Sequence, residues 1–135
     1  METLKLLIVV GGVLHFGILL ASAAVPQVLD WRTSLGKLDR LSRQLVWVHG
    51  AFIVLVILGF GVLSLLFAGE LSAGSPLARA VCGFIAVFWT TRLAVQFFVF
   101  DATPYLGSGL LRFGYHGLTA IFLYHAVVYS VVALA

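Results

Sequence analysis

The chain has 135 residues, 62% of them hydrophobic and 10% charged, with a formal net charge of +3. Soluble domains carry about 25% charged residues, and a chain this short leaves much of its surface exposed, so an ordinary water-soluble fold is excluded. The small positive excess comes with no stacking platform or basic groove, which argues against nucleic acid and leaves the lipid bilayer as the natural surroundings.

A membrane-spanning helix needs roughly 20 predominantly apolar residues, and residues 4–25 supply the first. This segment ends in an Ala-Ser-Ala-Ala run at 21–24 that resembles a signal-peptidase site. Its charged start is weak, because Glu2 offsets Lys5, so it reads as a membrane helix. Gly12 and Gly17 flank its one ionisable interior residue, His15.

Residues 26–43 form a long connection. Val28, Leu29, Trp31, Leu35, Leu38 and Leu41 fall on one side of an approximate helix, with Arg32, Lys37, Arg40 and Arg43 elsewhere. That pattern predicts an interfacial segment lying on the membrane surface, its cations toward anionic headgroups.

The second span, 44–68, carries His49 followed by Gly50. A short Gly- and Ser-rich turn follows, with Pro76 placed to open the third helix. The third span, 77–100, holds Trp89, Arg92 and Gln96 on one helical face by i, i+3 and i+4 spacing. Such a face suits a quinone or lipid-phosphate headgroup, or a contact with another subunit. The single cysteine, Cys82, can form no internal disulfide and reads as a packing residue. Pro104, Gly107 and Gly109 break the chain before the fourth span, 113–135, which carries His116 and His125.

The fold class that follows is all-α: a polytopic membrane protein forming one domain, 1–135, an up-down bundle of four transmembrane helices. The cations of 26–43, with Arg112, outweigh Lys5 and Arg79 on the other side. The positive-inside rule then puts both termini outside, in a bacterial inner membrane.

All four histidines fall inside spans, where ionisable groups are costly and mark functional sites by default. At about 1.5 Å per residue, His49 and His116 lie roughly 6 to 8 Å in from the cytoplasmic ends, and His15 and His125 roughly 15 to 20 Å in. His116 and His125 are nine residues apart, two and a half turns, and so point to opposite sides of their helix. Imidazoles at matched depth suit axial ligation of haem b, His49 with His116 or His15 with His125, with Arg92 beside a propionate. Asp101 beside His49 and His116 suggests a divalent-metal site or a proton relay instead.

Three functions fit these residues. One is a haem- or metal-bearing electron-transfer protein or subunit of a redox complex. The others are a small transporter or proton-conducting module, and a non-catalytic subunit or assembly factor. Each is compatible with a homo-oligomer or with a place in a larger membrane complex.

Overall fold

The computed structural model describes residues 2–99 and 107–135. Asp101 and Pro104 lie outside the described residues. The chain folds into α1 (Glu2–Ala23), α2 (Val25–Val28), α3 (Trp31–Ser34), a 3₁₀ turn (Leu35–Lys37), α4 (Arg40–Leu66), α5 (Ala68–Ser72), α6 (Pro76–Phe98) and α7 (Gly109–Leu134). No strand occurs among the described residues.

Among the described residues, four helical segments are long and apolar enough to cross a membrane: α1 continuing through α2, α4, α6 and α7. The shortest has 23 residues and the longest 27, which at about 1.5 Å per residue exceeds a hydrocarbon core of about 30 Å.

Local chemistry sets the helix starts. Asp39, Ser75 and Ser108 each take the cap position, where the side chain accepts the backbone N–H of Ser42, Ala78 and Leu111 respectively. These bonds satisfy donors that a helix start otherwise leaves orphaned. Pro76 stands in the first turn of α6, as the sequence suggests, because a missing N–H is harmless there.

The caps also move boundaries. α4 begins at Arg40 instead of 44, and α7 at Gly109 instead of 113, since each cap lies in the polar stretch before the apolar run. The turn between the second and third spans contains the short helix α5. The connection 26–43 is not one amphipathic helix but three short pieces. Asp30 breaks it in the left-handed region (φ 51°), and Leu38 turns extended.

The broadest pairings are α1 with α4 and α6 with α7, and α1 also packs on α5 and α7. Along the first pair, Gly12 lies against Ser64 and Leu65, while His15 and Phe16 lie against Gly61. A Cβ on Gly12 would sit 2.8 Å from the Leu65 side chain, so the small residue lets the two backbones come close. Along the second pair, Arg79 donates to the carbonyls of Ala133 and Leu134, Trp89 meets Phe122 and His125, and Gln96 meets Thr119. Partner numbers fall as those of the first helix rise in both pairs. Ile8, Ile57, Phe60, Cys82, Ile85 and Val132 are among the side chains that fill the interior.

Candidate functional site

The packed faces converge on a polar cluster in the middle of the molecule. His15 shares an α1 face with Ile8, Gly11, Gly12 and Ile18, and His125 shares an α7 face with Phe122, Ala126, Tyr129 and Val132. These are the three- and four-residue spacings of a buried helical stripe. Trp89 comes from the interior face of α6 and Ser64 from that of α4. His15, His125, Tyr129 and Ser64 have no exposed surface, and Trp89 has 1%.

The rings of His15 and His125 touch, with centroids 3.9 Å apart and planes inclined by 38°. Their nitrogens can be assigned from their partners. The Trp89 indole N–H, a donor only, donates to His15 Nε2 at 2.9 Å, so that nitrogen carries no proton. His15 Nδ1–H therefore donates to the Gly11 carbonyl at 2.7 Å. His125 Nε2–H donates to the same carbonyl at 2.9 Å. A Cβ on Gly11 would lie 2.8 Å from the Tyr129 hydroxyl, so the missing side chain is what allows α7 to approach.

This leaves His125 Nδ1, a buried nitrogen with no hydrogen-bond partner among the described residues. Both histidines are thus satisfied as neutral rings of opposite tautomer, with one lone pair unused. Around them, Trp89 stacks on His125 at 5.1 Å and on Phe122 at 5.1 Å, and Phe60 meets His15 edge-on at 5.9 Å. The Ser64 and Tyr129 hydroxyls share a hydrogen bond across α4 and α7, and the Tyr124 O–H donates to the Leu7 carbonyl at 2.8 Å.

The other residues singled out in the sequence lie elsewhere. His49 is exposed, and its Nδ1–H donates to the Leu45 carbonyl one turn earlier. His116 is exposed, and among the described residues its one ring contact is with the neighbouring Tyr115. No ring contact joins the two, and their proposed partner Asp101 lies outside the described residues. Among the described residues, no group of three or more His, Cys, Asp or Glu side chains is placed to hold a metal ion. The Trp89–Arg92–Gln96 face is taken up by α7: Arg92 lies over the Phe122 ring at 5.0 Å, and the Gln96 amide donates to Thr119.

Haem b does not fit between His15 and His125 as they stand. Metal–nitrogen bonds of about 2 Å put two axial nitrogens roughly 4 Å apart, with the macrocycle between them. Here the rings lie against each other, and both nitrogens of His15 are already bonded. Gly17 near His15, Gly50 beside His49, and Gly114 and Gly117 around His116 face open space.

Gly11, Ser64, Tyr124 and Tyr129 are members of this cluster that the sequence reading missed. Tyr129 had a signal, standing one turn beyond His125 on the same face. No protein-family model matches the chain, and no curated protein or solved structure matches it.

Proposed function

We propose that this chain is a multi-pass membrane protein, an up-down bundle of four spanning helices, whose His15–His125 pair is a proton-accepting centre for proton-coupled transport. The opposed residue pairings of α1 with α4 and of α6 with α7 support the bundle. Large apolar side chains at high exposure, Phe98 at 87% and Leu110 at 80%, are reasonable against lipid and not against water. The basic connection between α1 and α4 supports a bacterial inner membrane with that connection on the cytoplasmic side.

The observation that carries the functional reading is the unused lone pair on His125 Nδ1. Buried polar atoms normally have partners, and an unpartnered basic nitrogen at the centre of a bundle is a place for a proton to bind. A proton taken from water onto Nδ1 makes an imidazolium that keeps its Nε2–H bond to Gly11, now charge-assisted. The Trp89 face stacked on the ring offsets part of the cost of burying that charge. His15 cannot take the proton without losing the Trp89 bond. One site, not two, is therefore available. A charged His125 strains the dry contact between α1 and α7, which gives the bundle two states that differ by one proton.

Electron transfer through haem, the other chemistry that paired histidines suggest, asks both rings to part and Trp89 to release His15. The test is proton flux into proteoliposomes followed with a pH-sensitive dye. His125→Gln carries an amide N–H out to the Nε2 position, within reach of the Gly11 carbonyl, but has no titratable nitrogen, and flux is expected to fall roughly 100-fold or more. Unchanged flux in this variant overturns the reading, and a Soret band in purified wild-type protein replaces it with the haem one.

A further inference from the structure

A cleft of about 570 Å³ opens between the end of α1, the segments α2 and α3, and the first half of α4. Its size suits a small-molecule ligand. Leu19, Val25, Pro26, Ile53 and Val54 make its walls apolar, and Trp31 and Trp47 line it as well. The two indoles meet edge-to-face at 4.9 Å, which fixes both at one level, as aromatic side chains are fixed at a membrane interface.

The α4 wall is ordered along its length. Trp47, Gly50, Ala51 and Val54 all line the cleft, spaced three and four apart, and so form one face. Carried back toward the helix start, the same spacing reaches Arg43, four residues before Trp47, and then Arg40. The face therefore runs from cations through an aromatic to small and then branched apolar residues. A Cβ at Gly50 would meet nothing within 4 Å, so that stretch of wall is open.

Charge settles the occupant. Residues 30–43 contain Arg32, Lys37, Arg40 and Arg43 against Asp30 and Asp39, and the Asp39 carboxylate is engaged by the Ser42 N–H at the α4 cap. An occupant with an anionic head and an apolar tail matches this sequence of surfaces, and a neutral or wholly polar one does not.

We infer that the cleft between α1 and α4 is a binding site for one anionic phospholipid, its phosphate at Arg40 and Arg43 and one acyl chain passing Trp47 and Gly50 toward Val54. This rests on the membrane reading above but not on the proton chemistry. The bound lipid would brace α2 and α3 against α4 on the side of α1 away from a second apolar cleft, which runs from Ala21 and Val28 to Leu111 and Tyr115.

Tryptophan fluorescence in phosphatidylcholine vesicles containing a minor fraction of dibrominated phosphatidylglycerol tests it, because bromine on an acyl chain quenches an indole only at contact. Quenching is expected to exceed several-fold that from the same fraction of dibrominated phosphatidylcholine. Each of Arg40→Gln and Arg43→Gln is expected to lower the apparent affinity for the anionic lipid roughly fivefold. Gly50→Leu, which fills the cleft without removing a charge, is expected to abolish the excess. Equal quenching by the two lipids, or an excess untouched by both arginine changes and by Gly50→Leu, overturns the inference. Vesicles made wholly of dibrominated phosphatidylcholine report insertion itself, and absence of quenching there sinks the membrane reading instead.

Discussion

Gly11 offers no side chain, and its carbonyl receives an imidazole N–H from its own helix and another from α7. Around this point every donor is matched in a dry interior, where an orphaned group costs about 1 to 3 kcal/mol. The Ser64–Tyr129 bond shows how to measure that. Ser64→Ala strands the Tyr129 hydroxyl and is expected to destabilise by about 1 to 3 kcal/mol. Adding Tyr129→Phe removes the stranded group, so the double variant is expected to lose less than the sum of the single ones. Unfolding midpoints in one detergent check this, and strict additivity would mean that the hydroxyls do not meet. At this scale the sequence revealed heights and not directions. His15 and His125 can be matched by counting residues, but both sit in spans apolar on all sides, with no polar face to set their rotation. The glycine that matters to His125 is across the interface on α1, invisible in its own neighbourhood, while the glycines beside His49 and His116 point outward.

Helix ends follow a different logic from helix cores. Hydropathy locates the four apolar runs correctly because burial and membrane crossing both depend on them, but it says nothing of where a helix starts. Asp39 opens α4 in a polar stretch. Hydrogen bonds from Ser42 hold its carboxyl below the usual carboxylate range, so the cap is more stable with the group ionised. The contribution is therefore present above the ordinary carboxylate value and is lost as pH falls through the depressed folded value. Asp39→Ala is expected to speed hydrogen exchange in the first turn of α4 at neutral pH, leaving the distant Ser108-capped start of α7 unchanged. Equal protection in both proteins would show that the cap contributes nothing. The basic connection was legible by composition as a break between two apolar runs. Its break at Asp30 was not, since a left-handed aspartate leaves no mark in a pattern of apolar spacings. The Trp89–Arg92–Gln96 stripe was likewise visible as a polar face, but only the packing of α7 on α6 reveals that this chain supplies its own partner for it.

Viewed as a whole, the molecule is tightest at its centre and looser toward the end that carries the basic segment. From Arg40 to Val56 no side chain of α4 is fully buried, whereas Ile57, Phe60, Gly61 and Ser64 are. Two apolar clefts flank the end of α1. The dense centre holds the neutral histidine pair, and the open end suits lipid, so the two proposals occupy different parts of one bundle. Composition foretold four apolar helices because 62% hydrophobic residues permit little else. Which helix faces which depends on close approach at Gly11, Gly12 and Gly61 and on single hydrogen bonds, none of which a periodicity reports. The account stands on the contact of His15 with His125 on one carbonyl. Nitrogen-15 NMR of histidine-labelled protein in bilayers, with His15→Asn and His125→Asn used for assignment, reads that contact directly. The expected spectrum has two neutral rings at neutral pH, His15 protonated at Nδ1 and His125 at Nε2, with a through-space correlation between them. Identical tautomers without that correlation would contradict it.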